Sequence, residues 1–101
     1  MAATIEHQQS RTLIRLEGVF NVMSAAGLKQ VLLEGLATDK ELLLDLEAAE
    51  EIDIPVMQLL WAVGCEAERK GTAVSLRLPE TAELAAREAG FQRFPGLTIQ
   101  G

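Results

Sequence analysis

The segment Glu41-Leu42-Leu43-Leu44-Asp45-Leu46 places four leucines in six residues with no alternation of polar and apolar positions. A β-strand with that pattern is apolar on both sides, so both of its faces must be covered, as they are in the interior of a parallel sheet. The rest of the composition agrees. Tyr is absent and aromatics make up 4% of the chain, so the core must be aliphatic, built from Leu, Val, Ile and Ala. This combination predicts an α/β chain whose sheet is covered by helices.

The flanking segments supply those helices and further strands. Thr4 to Gln8 and Thr12 to Glu17 are β-prone runs separated by Gln9, Ser10 and Arg11, a spacing that suits a hairpin. Gly18 is expected to break the second strand. From Asn21, a credible N-cap, Ala25, Leu28, Val31, Leu32 and Leu36 recur at helical spacing. Gly27 within this helix costs about 1 kcal/mol relative to Ala and is expected to be a tolerated defect. A second helix starts near Pro55 and ends at Arg69-Lys70-Gly71, cations at the negative end of the dipole followed by a C′ glycine. Thr72 to Leu78 alternates as a strand, and Pro79 opens a third helix, Glu80 to Ala89. Its stripe of Ala82, Ala85, Ala86 and Ala89 suits close packing, and Gly90-Phe91 closes it. The predicted order is β-β-α-β-α-β-α, a sheet of four to five strands, largely parallel, the fifth being a short terminal strand or a frayed tail over 95–101.

The 101 residues suit a single domain spanning 1–101. With 49% apolar and 24% charged residues the chain is globular, and no apolar stretch approaches the roughly 18 residues of a membrane span. A net charge of −6 is the wrong sign for gripping nucleic acid or anionic lipid. Cys65 is alone, so no intramolecular disulfide forms, and inert packing is its expected role. Met1 to Ser10 lacks the basic and apolar regions of a secretory signal, which predicts a cytoplasmic protein. His7 is also alone, no glycine loop cradles phosphate, and no spacing matches a metal loop. Neither cofactor nor metal is expected.

In open α/β sheets, ligands and partners gather at the carboxyl ends of parallel strands. Two loops qualify, 18–21 after the second strand and 47–55 after the third. The second carries Glu47, Glu50, Glu51 and Asp53, but no nucleophile or second base accompanies them. Loop carboxylates beside a helix start ordinarily complement its dipole, so catalysis is not expected. On the second helix Val56, Leu59, Leu60, Val63 and Ala67 form a complete core stripe, which leaves Met57, Trp61, Gly64 and Cys65 on a flank. Either that flank packs on the first helix or a loop, or it is a partner-binding patch, since Trp and Met are enriched at interfaces.

In order and spacing, Leu16-Glu17-Gly18-Val19-Phe20-Asn21, Leu42-Leu43-Leu44-Asp45-Leu46, Ile52-Asp53, Leu59-Leu60, Glu66 to Lys70-Gly71 and Gly90-Phe91 together resemble the STAS family. That family includes bacterial anti-sigma factor antagonists, stressosome proteins and STAS subunits of lipid-transport ATPases. The similarity covers roughly 12–94 and implies a STAS-like fold and a non-enzymatic protein-interaction module in bacterial signal and transcription regulation. The family's switch motif has Asp, two small or hydroxyl residues, then Gly, with a hydroxyl there phosphorylated by a partner kinase. Here it is Asp53-Ile54-Pro55-Val56, and Pro55 occupies the position of the usual Ser or Thr. The resemblance thus implies docking through Phe20, Asn21, Asp53, Ile54, Pro55, Val56, Met57 and Trp61 without the phosphorylation lever. The implied partner is an anti-sigma factor, a kinase-type regulator or a larger complex on which the chain sits as an accessory subunit. Homodimerisation through Met57 and Trp61 is left open.

Overall fold

The computed structural model describes residues 1–91 and 94–100. Strands β1 (Ala2–His7) and β2 (Arg11–Phe20) are followed by a 3-10 turn at Val22–Ser24 and by helix α1 (Ala25–Leu36). Then come β3 (Glu41–Asp45), β4 (Ala49–Ile52), α2 (Ile54–Lys70), β5 (Val74–Arg77), α3 (Glu80–Glu88) and β6 (Leu97–Gln100). The expected α/β class and the hairpin hold, with β1 antiparallel to β2 and the remaining pairings parallel. The sheet has six strands rather than four or five, in the order β1-β2-β3-β5-β6 with β4 paired to β2. The terminal segment forms a strand at Leu97–Gln100, and β4 lies inside what the sequence reading took for an acidic loop.

Gly18 does not end β2. It adopts φ +94°, and the parallel register shifts between Gly18 and Val19. That irregularity lets β2 pair with β3 over Arg11–Arg15 and then with β4 over Gly18–Phe20. A left-handed φ suits glycine, which has no Cβ to clash.

Alternate strand residues build one core. Ile14 and Leu16, Leu42 and Leu44, and Val74 and Leu76 are buried together with Leu28, Leu32 and Leu36 of α1. Val56, Leu60 and Val63 of α2 and Ala86 of α3 join the same cluster, so the three helices cover one face of the sheet. Among the described residues the other face carries no helix. Leu13 and Leu43, paired across β2 and β3, are 8% and 3% exposed yet stand outside the helix-covered core. The second apolar side of β3 is therefore buried without the second helical layer that its leucine run suggested. Beside them Asp45 lies between Arg15 at 3.6 Å and Arg77 at 4.0 Å.

Two local expectations change, at Asn21 and in the alanine stripe, while Gly27 is a tolerated defect as expected. Asn21 caps the 3-10 turn rather than α1, its Oδ1 accepting from the Met23 amide at 2.9 Å. Close approach to the sheet occurs at Gly35, not Gly27, because a Cβ on Gly35 would stand 2.7 Å from Ile14 Cδ1. In the alanine stripe of α3 only Ala86 is buried, while Ala85 and Ala89 are exposed. The closure of α2 is as expected: Gly71 at φ +72° follows Arg69 and Lys70.

Candidate functional site

The carboxyl ends of β2 and β4 meet at one corner. Phe20 pairs with Ile52, and the Asp53 amide donates to the Phe20 carbonyl at 2.9 Å. The chain leaves these strands along two adjacent paths, one through Asn21 into the 3-10 turn and one through Ile54 into α2. The turn also lies against α2. Asp53 is the N-cap, with extended backbone (φ −80°, ψ 164°), and its carbonyl accepts from the Val56 and Met57 amides at 3.0 and 3.1 Å. Its side chain makes no capping hydrogen bond, and Pro55 in the first turn has no N–H to satisfy.

The eight residues expected to form a contact are brought together only in part. Ile54 is exposed, while Asn21, Asp53 and Pro55 are half-buried around it. Phe20, Val56 and Met57 are core residues, with exposures of 0%, 0% and 3%, and present no surface to a partner. Met57 is therefore not surplus to the core: α2 buries Val56 and Met57, Leu60, and Val63 and Gly64, a stripe wider than the one read from periodicity.

Trp61 stands apart from the corner, two turns along α2. Its ring meets Phe91 edge-on at 6.3 Å between centroids, and Phe91 stacks on Phe94 at 5.8 Å. Gly64 meets the backbone of the C-terminal segment, where a Cβ would lie 1.9 Å from the Pro95 carbonyl oxygen. The loop before the last strand thus covers part of the flank, at Trp61 and Gly64, as the loop alternative expected, while Trp61 stays 40% exposed. Cys65, expected to be packed, is exposed.

Sequence reasoning missed Val22 and Met23. They are 65% and 87% exposed in the turn after β2, which lies against α2, and with Ile54, 51% exposed at the start of α2, they are the exposed large apolar side chains of the corner, its apolar tip. The signal was present, since both residues follow the cap Asn21 and fall outside the stripe of Leu28, Leu32 and Leu36. A second apolar surface, a groove of about 190 Å³, runs between α1 and α2 and is lined by Leu33, Leu36, Leu59 and Ala62.

The acidic cluster is dispersed. Glu50 and Glu51 are consecutive exposed residues of β4, Glu47 is exposed before it, and Asp53 follows it. Among the described residues no group of His, Cys, Asp or Glu side chains is arranged to hold a metal ion, and no helix is long and apolar enough to cross a membrane.

The family described as Mlab, STAS domain matches residues 3–94 of this chain. No curated protein sequence matches it. Among solved structures, an anti-sigma factor antagonist from Mycobacterium paratuberculosis superposes with a TM-score of 0.81 at 19% identity, covering 96% of this chain and 84% of that one. RsbS from Moorella thermoacetica, carrying a serine-to-glutamate substitution, gives 0.77 at 20% identity over 99% and 86% of the two chains. The anti-sigma factor antagonist SpoIIAA in its unphosphorylated form gives 0.71 at 14% identity over 99% and 90%. At these identities the likeness is one of fold.

Proposed function

This chain belongs to the STAS domain family, and we propose that it is a non-enzymatic protein-binding module of bacterial signal regulation that docks through the β2/β4 corner. The observation that carries this reading is the exposure of Val22, Met23 and Ile54 on a backbone fixed by the Asp53–Phe20 hydrogen bond. Exposed apolar side chains on an already ordered backbone require no backbone ordering when a partner covers them, which suits them to act as binding anchors. In this reading Asn21, Asp53 and Pro55 frame the contact. Phe20, Val56 and Met57 support it from below.

The docking is not switched by phosphate at the helix start. Ile54, Pro55 and Val56 offer no hydroxyl there, so the charge of about −1.5 to −2 that phosphorylation adds has no acceptor in this turn. Incubation with a cognate anti-sigma kinase and ATP should leave the intact mass unchanged. A phosphorylated form that no longer binds its partner would overturn this part of the proposal.

A second reading, a subunit docked permanently on a larger assembly such as a lipid-transport ATPase or a stressosome-like complex, is favoured by the apolar character of the tip. Permanent interfaces are more hydrophobic than transient ones. A complex that survives purification at high dilution supports this form, and rapid exchange supports the signalling form.

A further inference from the structure

Charge is distributed unevenly between the two ends of the sheet. At the carboxyl ends lie Glu47, Glu50, Glu51 and Asp53, and the first turn of α3 adds Glu80 and Glu83. Among the described residues none of these six carboxylates forms an ion pair. Six of the eight described lysines and arginines lie elsewhere, while Lys29 lies within α1 and Arg87 stands one turn after Glu83 on α3. Arg11 begins β2, Lys40 precedes β3, and Arg69 and Lys70 close α2, all at the opposite end, while Arg15 and Arg77 share Asp45 on the helix-free face.

Helix dipoles account for Glu80 and Glu83, which lie in a first helical turn. They do not account for the acids on and before β4. The first turn of α2 contains no acidic residue, and Asp53 makes no side-chain cap. Glu50 and Glu51 are adjacent in a strand, so they point to opposite sides, yet both are exposed. Glu50, Glu51 and Asp53, none of them in an ion pair among the described residues, immediately precede Ile54 of the apolar tip in the chain.

We infer that the docking corner takes a protein surface of one kind, an apolar socket ringed by Lys or Arg. This rests on the corner being the docking surface. An apolar centre sets how long such a complex lasts, while an uncompensated rim of one sign accelerates encounter with the opposite sign and repels acidic surfaces.

Two amphipathic helical peptides with the same leucine face, one with a lysine polar face and one with a glutamate polar face, test this by amide NMR titration. The lysine peptide should shift Val22, Met23 and Ile54, and its affinity should fall by about tenfold in Glu50→Gln/Glu51→Gln and with rising salt. The glutamate peptide should leave these amides unmoved. Equal binding of both peptides at the corner would overturn the charge inference while leaving the docking corner intact. A lysine peptide that binds Met23→Ser/Ile54→Ser as well as wild type, or that shifts the α1/α2 groove instead, would overturn the docking reading as well. So would self-association through the tip, since a second copy brings the same acidic rim.

Discussion

The Asp53 amide donates to the Phe20 carbonyl at 2.9 Å, joining the residue that opens α2 to the last residue of β2. Both groups belong to the backbone, so the corner's geometry is set by the ladder between β2 and β4 and not by the side chains displayed on it. Beneath it Phe20 and Val56 are fully buried. The part that holds the corner and the part available to a partner are therefore different residues.

That separation makes the tip replaceable. Met23→Ser and Ile54→Ser should each change unfolding free energy by less than about 0.5 kcal/mol, because exposed side chains that make no capping or core contact contribute little to stability. Urea denaturation measures this. A loss near 2 kcal/mol would mean that these residues serve the fold.

Two glycines should respond to alanine with opposite signs. At Gly64 the new Cβ would lie 1.9 Å from the Pro95 carbonyl oxygen and 3.1 Å from Leu97 Cγ, so Gly64→Ala must displace the C-terminal segment from α2. We expect a loss of about 1–3 kcal/mol despite the better helix propensity. At Gly27 the Cβ would meet only the flexible end of Met1, at 3.3 Å, and Gly27→Ala should gain about 0.5–1 kcal/mol. Thermal unfolding of the two variants decides it, and a neutral Gly64→Ala would contradict the packing described.

Lys70 ties the end of α2 to the end of α1. Its ammonium donates to the Leu36 carbonyl at 2.9 Å and pairs with Asp39 at 3.6 Å. Lys70→Met should cost about 1–2 kcal/mol, since a charged hydrogen bond to a helix-terminal carbonyl is lost. Asp39→Asn should cost only a few tenths, because Asp39 is largely exposed. Equal costs for the two, read from denaturant midpoints, would assign the effect to the ion pair instead.

On the outer surface of α2, hydrogen bonding from Arg69 holds the Glu66 carboxyl below its ordinary value of 4.5, opposed by desolvation and aided by the nearby positive charges of Arg69 and Lys70. A carboxyl lowered in this way favours the folded chain above its unfolded pKa, and the contribution fades as pH falls through the lowered folded value. In Arg69→Ala the Glu66 midpoint, followed by carbon NMR, should rise toward 4.5. An unchanged midpoint would contradict the assigned cause.

Much of the fold was legible because periodicity and caps are local signals. The β-hairpin, the leucine strand, the three helices and the glycine ends at Gly71 and Gly90 all follow from them. β4 was not legible, because Ala49-Glu50-Glu51-Ile52 has no strand pattern of its own. It is recruited by the ladder that β2 extends past Gly18, and Gly18 was misread because a glycine bulge and a glycine break look alike in sequence. At the site, the positions of Asp53 and Ile54 were recoverable. The burial of Met57 was not, since it depends on how far α2 rolls onto the sheet, a tertiary property. The cover on Trp61 comes from Phe91, 30 residues downstream, a contact that helical spacing cannot reveal.

Docking through the Val22–Met23–Ile54 tip is the role proposed for this corner. It is tested most directly by quantitative capture from the cell of origin with three baits: wild type, Met23→Glu/Ile54→Glu, and Leu84→Glu, which alters an exposed leucine on α3. Docking through the tip predicts a partner held by wild type and by Leu84→Glu, with affinity for the Met23→Glu/Ile54→Glu bait reduced by about 100-fold or more, as loss of central apolar anchors does. A partner retained equally by all three folded baits would contradict it.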